Sequence, residues 1–361
     1  MRESRDSWWL LITILLAIAL FGLVTTLLLS LDPETSGAEA VRTGGLVSAA
    51  VIALYALWLN DRRRRVEESR HELERRSHEQ DRERVADERF ARAVELLGHE
   101  ADQVRVGALH ALAGLARSRP SYAQTVLDVV CSYLRRPFDH PDYVQDRTGE
   151  RPRWEPVVER DADRERQVRL SAQRVISELV PDRCPRPDTQ PDVDLTGAVL
   201  DYLDLSGKII HKLVLRDAQL HGTNRFSATE ISGEVWFTRA ASYGRLECDG
   251  AVFCAGSNFP HMVAHGRVSF EGAHFRQGAM FLCSEFHGPV TLAGSTFDKS
   301  VDLRRTVFRD DLDLRSQLPC PVRPGMGGMM VDASRDIHLP EGWMVREDGR
   351  IGRVSGPETS L

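Results

Sequence analysis

Between Val193 and Leu314, large apolar residues recur at a fixed short step. From Leu195 the step is five residues, through Leu200, Leu205, Ile210, Leu215 and Leu220. Beyond Leu220 it averages five and a half: Phe226, Ile231, Phe237, Ser242, Cys248, Phe253, Phe259, Ala264, Phe270, Phe275, Phe281, Phe286, Leu292, Phe297, Leu303, Phe308 and Leu314. Of these 23 positions only Ser242 is not apolar, and together they hold ten of the chain's 13 phenylalanines, so the register is not an accident of composition. A second column lies two residues earlier and is mostly small or β-branched, as in Val193, Ala198, Ala218, Val235, Ala251, Val268, Ala273 and Val301. Residues two apart share one face of an extended segment. Each block therefore points one large and one smaller side chain inward, while the Gly, Asp, Arg, Ser and Thr around them point out. Lys208 and Asn224 interrupt the small column. A period this short fits neither a helix pair nor a propeller blade; it predicts a solenoid of stacked coils.

The segments Ala198-Val-Leu-Asp-Tyr202, Val268-Ser-Phe-Glu-Gly-Ala-His-Phe275 and Val301-Asp-Leu-Arg-Arg-Thr-Val-Phe308 resemble pentapeptide-repeat proteins. The resemblance covers about a third of the chain and implies a right-handed quadrilateral β-helix over 192–316, with four blocks per coil. The alternating five-and-six spacing departs from the family pattern and implies an extra residue bulging at a corner. Roughly six coils at ~4.8 Å per layer give a stack about 28 Å long. Its structural core is expected at Leu195, Leu200, Leu205, Phe253, Phe259, Phe270, Phe275, Phe281, Phe286, Leu292, Phe297, Leu303 and Phe308. Both ends of such a stack expose strand edges, so a homodimer through a solenoid end is one expectation.

Ahead of the repeat the hydrophobic pattern changes to long runs and then to helical stripes. Residues 1–60 read as a membrane anchor with two transmembrane helices, at about 8–31 and 44–59. The first run, Trp8–Leu31, is 24 residues long, and Trp8 and Trp9 suit an interface. A cleaved signal peptide is the competing reading, with Ala38-Glu-Ala40 as its cleavage site. The second run, Gly44–Leu59, is short for a span; were it not to cross, the repeat would lie on the other side of the membrane. Arg62, Arg63, Arg64 and Arg65 follow it directly, and by the positive-inside rule both chain ends lie in the cytoplasm of an inner-membrane, multi-pass protein.

Residues 61–92 carry dense charge of both signs. Acid-first pairs such as Asp61 with Arg65, Glu72 with Arg76 and Glu88 with Arg92 predict a charged helical stalk. Gln80 and Asp87 break the heptad begun by Val66 and Leu73, so a solvated helix is expected rather than a sustained coiled coil. Residues 87–180 read as a small helical module. Its stripes are Phe90, Val94 and Leu97; Val104, Ala108, Leu112 and Leu115; Leu127, Val130, Cys131 and Leu134; and Val168, Ala172, Val175 and Leu179. The segments 89–98, 104–112 and 126–135 resemble the HEAT-like helical module that precedes pentapeptide arrays in many bacterial membrane proteins. The proline- and charge-rich stretch 136–162 is expected to be a loop. The helix ending before Pro181 is expected to cap the N-terminal edge of the solenoid. After Leu314 the pattern stops; the tail 317–361 is expected to be partly disordered, with a small hairpin over Ile337–Val354 turning at Glu341-Gly342 and Asp348-Gly349.

Composition narrows the function. Net charge is −6, and the repeat from Asp192 to Arg315 holds 16 acidic and 13 basic residues, a difference of −3, which disfavours nucleic acid as a partner. Six cysteines, Cys131, Cys184, Cys248, Cys254, Cys283 and Cys320, form no Cys-x-x-Cys pair, which fits a reduced compartment. No phosphate loop, His-Glu-x-x-His or Gly-x-Ser-x-Gly motif is present. Cys254, His261 and His265 fall on different faces of the repeat register, His274 and His287 lie outside its inner columns, and Asp310, Asp311 and Asp313 read as a charged outer face. No enzyme activity, cofactor or metal is therefore expected. The expectation is a membrane-tethered scaffold that binds a protein partner through solenoid faces. The alternative, implied by the family resemblance, is a DNA mimic that binds a type II topoisomerase; that needs a strongly negative surface, which Arg304, Arg305 and Arg309 interrupt.

Overall fold

The computed structural model describes residues 3–31, 37–150, 152–315 and 328–353. It divides into two compact units, Met1–Val85 and Ala86–Leu361. In the first unit α1 (Glu3–Leu31) packs on the start of α2 (Gly37–Leu97). The second apolar run, the charged stalk and the first stripe of the helical module are thus one helix rather than three elements. Nothing between Leu59 and Phe90 breaks it: there is no Pro or Gly, and acid-first i,i+4 pairs recur. The side chains of Trp8, Trp9, Arg62, Arg63, Arg65, Val66 and Leu73 lie outside the described residues. Among the described residues one stretch, Val41–Trp58, has the length and apolarity to cross a membrane, with a mean hydropathy of 1.5; Ile12–Leu27 is a shorter apolar stretch.

The second unit begins with helices. The buried stripe at the end of α2 is Ala86, Ala93 and Leu97 with Phe90 packed beside it, whereas Val94 faces outward. Then come α3 (Asp102–Ser118), a 3-10 turn at Pro120–Tyr122, α4 (Ala123–Leu134), α5 (Pro141–Thr148) and α6 (Pro156–Leu179). The expected loop 136–162 is therefore largely helical. Two of its four prolines start helices instead of breaking them: Pro141 and Pro156 occupy first-turn positions, where the missing N–H costs nothing. The His140 ring accepts from the Asp142 N–H at 3.2 Å, and Gly149 closes α5 at φ 77°.

From Asp192 the chain winds as a parallel β-solenoid of about six turns, with four sheets of five to seven short strands. Partners are 20 residues apart in the first coil, as in Asp192↔Lys212 and Val199↔Gln219, and 22 apart in later ones, as in Leu213↔Val235 and Phe253↔Phe275. All thirteen expected core residues are buried. Because identical blocks stack, rings land on rings: Phe253–Phe275–Phe297 repeat at 4.6 and 4.7 Å, and Phe259–Phe281 at 4.6 Å. These spacings match one strand layer. Asn224 stays in the core because both ends of its amide are bonded, accepting from Leu203 N at 3.1 Å and donating to His221 O at 2.8 Å. Lys208 instead reaches out to Asp182 at 2.7 Å.

The five-and-six rhythm has a local cause. A five-residue step turns tightly: Ala240 N donates to Phe237 O at 3.0 Å, and Arg239 between them has φ 57°, as a type II turn requires. A six-residue step places its extra residue at a bare corner. There Gly222, Gly244, Gly266 and Gly288 stack at 22-residue intervals. A Cβ on Gly244 would lie 1.6 Å from the Gly222 carbonyl oxygen, and one on Gly266 would lie 2.0 Å from that of Gly244.

Both ends of the solenoid are covered by the chain itself. At the first coil the Gln124 amide accepts from Asp192 N and donates to Asp192 O, both at 3.0 Å. Gln173 accepts from Asp201 N at 3.0 Å, and Ser177 donates to Asp204 O at 2.6 Å. Side chains of α4 and α6 thus satisfy edge groups that would otherwise be unpaired. At the other end the stacking outlasts the sequence repeat. Met330–Val331 and Ile337–His338 pair in parallel with Val307–Phe308 and Leu312–Asp313. Ile337 is therefore a solenoid residue, and the antiparallel hairpin is the smaller Trp343–Val345 with Ile351–Arg353. Met329 and Ile351 are buried against the last coil. Residues 316–327, including Cys320, lie outside the described residues.

Two outcomes test this architecture. Phe270→Asp or Phe281→Asp should unfold the middle coils, because a lone buried carboxylate finds no partner there. Unchanged circular dichroism and melting would show the register to be wrong. Among the glycines, Gly244→Ala should be far more damaging than Gly250→Ala. The second has open space and only the strain of φ 64°, which costs about 1 kcal/mol; comparable melting of the two variants would contradict the stacked-backbone corner.

Candidate interaction surface

The seven-stranded sheet carries the most distinctive outer face. Its strands are Val199–Asp201, Gln219–His221, Ala241–Ser242, Val263–Ala264, Glu285–Phe286, Val307–Phe308 and Met330–Val331. In each strand the middle or last residue points inward, apolar in all but Ser242, so the next residue points out. That outward column reads Asp201, His221, Tyr243, His265, His287, Arg309 and Asp332. Helix α5 lies over its upper end. The rings form one continuous ladder: Tyr143 of α5 on His221 at 4.0 Å, His221 on Tyr243 at 4.9 Å, Tyr243 on His265 at 5.1 Å, and His265 on His287 at 4.9 Å. Successive planes differ by 18° or less. Since the rings stack along the coil axis, the solvent meets their edges rather than their faces.

The upper part of this face is closed by charge. Asp201 is buried and accepts from Arg166 Nε at 3.0 Å, Arg166 Nη2 at 2.5 Å and the Tyr143 hydroxyl at 3.1 Å. Arg166 also donates to Asp142 at 3.1 Å. Burial works against the Arg166 charge, but the bonds to Asp201 more than offset it and hold its pKa above the ordinary value. Burial also pushes the Tyr143 phenol up, with the Asp201 charge adding to the effect. His221 is buried; its Nδ1 meets Asp146 of α5 at 2.7 Å, and its Nε2 has no partner among the described residues. Burial holds its pKa below that of a free histidine despite the opposing pull of Asp146.

Below α5 the face is open. His265 is exposed, and its side chain makes ring contacts but no hydrogen bond or ion pair among the described residues. Its pKa is lowered by partial burial and then by His287. Around the bare glycine corner, the neighbouring column carries Arg245 and Arg267, both exposed, on adjacent coils.

The residues weighed in the sequence as chemistry do not converge. Cys254 follows the strand Val252–Phe253, while His261 sits in a positive-φ turn and His265 on the ring face. Among the described residues no three His, Cys, Asp or Glu side chains gather as a metal site. His274 pairs with Asp298 at 3.0 Å, and His287 lies 3.6 Å from Glu285. Asp310 meets Arg335 at 3.4 Å, Asp313 meets Arg315 at 2.5 Å, and Asp311 accepts from Asp336 N at 3.1 Å. Cys248 is core, and burial raises its thiol pKa well above the ordinary value. The ladder escaped sequence reading although its signal is there: 221, 243, 265 and 287 are 22 apart, which becomes a column only when the coil length is known. Nothing in the sequence marks Tyr143 as its first ring.

His221 gives the junction a pH dependence. Its folded pKa lies below its unfolded one, so the unfolded chain takes up the proton first. Stability is full above the free-histidine range and is lost as pH falls from about 6.5 through the folded pKa. His221→Phe keeps a ring in the stack and removes the proton site. Between about pH 7 and pH 5 the melting temperature of the wild type should fall more steeply than that of this variant; parallel slopes would remove His221 as the source. Comparisons with family models, with curated proteins and with solved structures found no match.

Proposed function

We propose that the chain is a membrane-tethered protein–protein interaction scaffold displaying a pentapeptide-repeat β-helix in the cytoplasm, without catalysis. In this reading both apolar N-terminal stretches cross the inner membrane. The packing of α1 on α2 supports that. A Cβ on Gly44 would lie 2.5 Å from Thr25 Oγ1, and Ser48 Oγ donates to Ala17 O at 3.1 Å. Small residues make this seam, while Leu15, Ile18, Leu23, Leu46, Leu54 and Leu57 point outward with more than 60% of their surface exposed. Small residues inside and large aliphatic ones outside suit a hairpin surrounded by lipid, and in water so large an apolar surface would drive association.

The observation that carries the scaffold reading is the open ring face. It offers ring edges on a rigid sheet, with the unpaired Arg245 and Arg267 around its corner, and the larger hollows elsewhere in this unit are troughs open to solvent. Enclosed, largely apolar pockets suit small molecules, and broad faces suit macromolecules. The topoisomerase reading stands second, because a DNA-like rod needs continuous negative charge and Arg245, Arg267 and Arg309 interrupt this face.

Proximity labelling in the native cell tests the proposal, with the label at the C-terminus and Phe281→Asp as control. Membrane or envelope proteins enriched by the wild type and lost in the control are the expected outcome. Topoisomerase subunits would promote the second reading. Labelling confined to periplasmic or extracellular proteins would invert the topology, and identical profiles for wild type and control would overturn the scaffold.

A further inference from the structure

We propose that the open half of the ring face, around the corner formed by Gly244, Gly266 and Gly288, binds an acidic segment of a protein partner. The inference rests on the scaffold reading and deepens it by naming the surface and the chemistry of what it takes.

Three observations lead there. The first is a charge imbalance. At several places on this solenoid, opposite charges on successive coils pair: Asp217 with Arg239 at 2.7 Å, Glu247 with Arg225 at 3.1 Å, and Asp298 with His274 at 3.0 Å. Arg245 and Arg267 are neighbours on successive coils, and neither has an ion pair among the described residues. Like charges on adjacent strands are destabilising. Two adjacent unpaired guanidinium groups complement a carboxylate-bearing partner.

The second observation is access. The glycine corner between the arginines and the ring column carries no side chain, because the stacked backbone leaves no room for one. A partner backbone can therefore come close to both columns at once. His265 and His287 then present ring edges on one side of the corner and the guanidinium groups lie on the other.

The third observation is a precedent within the chain. One coil above Tyr243, the same ladder is already occupied by a protein segment. Helix α5 sets the Tyr143 ring on His221 and places the Asp146 carboxylate 2.7 Å from His221 Nδ1. Its Arg147 donates to Gln219 on the same sheet at 3.1 Å. The ladder continues beyond α5 with His265, which lacks such a carboxylate, and with the two unpaired arginines. The surface α5 uses thus extends past α5, with its anionic partner missing.

The test uses the full chain in detergent micelles and a fluorescent polyglutamate peptide, with polyglutamine as neutral control. Polyglutamate should bind, weaken with added salt, and lose affinity roughly thirtyfold in Arg245→Ser/Arg267→Ser, as two exposed ion pairs at the upper end of their usual worth imply. Arg305→Ser, an exposed arginine on another corner, should leave binding unchanged. His265→Gln should weaken it less than the arginine pair does. Circular dichroism of each variant should match the wild type, since these side chains contribute nothing to the core. Binding that survives the double substitution, or equal loss in Arg305→Ser, overturns the site. So does tighter binding of duplex DNA or of phosphatidylserine vesicles than of polyglutamate, which would name a different class of partner. The assay does not depend on the cell's own partner, so its failure leaves the scaffold reading to be judged by the labelling experiment.

Discussion

The structure depends on one constraint: each coil hydrogen-bonds to the next in parallel register, so every side chain sits above its counterpart one coil earlier. Parallel pairing at ~4.8 Å turns a sequence period into columns of like residues. Phenylalanines become stacks, glycines become a bare corner, and histidines and tyrosines become a ladder. A residue here is therefore selected as a member of a column. Gly244 illustrates this. Its backbone is not forced into the left-handed region; a side chain is excluded because Gly222 lies directly over it. The same register explains why Asn224 is tolerated: the space above an inner position is filled by backbone groups it can bond.

Stacking creates the problem of its own ends. A parallel solenoid leaves a complete turn of unpaired N–H and C=O groups at each terminus. This chain solves the two ends differently. At the start, polar side chains on α4 and α6 bond individual edge groups, and the apolar core runs without interruption from the helices into the first coil. At the far end, non-repeat sequence continues two of the sheets and then a hairpin lays Trp343 and Ile351 over the last core layer. Self-covered ends leave the lateral faces as the surface available to a partner.

The solenoid was legible because its signal is redundant: one inward residue per block, repeated over 23 blocks, survives exceptions such as Ser242 and Lys208. The helical module was legible by stripes where apolar residues repeat at helical spacing, as in α3 and α4. It failed for α5, where eight residues carry only two buried positions, Pro141 and Tyr143, and the helix is held by caps and by contacts with distant residues. The tail was misread for a related reason. Met330 and Ile337 pair with strands that the rest of the chain supplies, so no local period announces them. The ring ladder lies between these cases. Its spacing is in the sequence, but the polar outer face carries no hydrophobic contrast, so only the coil length reveals it.

The charge pattern separates what the fold needs from what it does not. Cross-coil pairs such as Asp217 with Arg239 belong to the same logic as the phenylalanine stacks: they make neighbouring layers compatible. Exposed pairs of this kind contribute little, about 0–1 kcal/mol each. They are therefore not a main source of stability. Like-charged columns also occur, as where Asp249 stacks on Glu271 and Asp311 on Asp336, so charge pairing is not a condition of the fold. Arg245 and Arg267 form a cationic column beside the bare glycine corner and below a helix that already supplies a carboxylate to the ring ladder. The core would be no worse packed without them, so the reason for their presence has to be sought outside the fold.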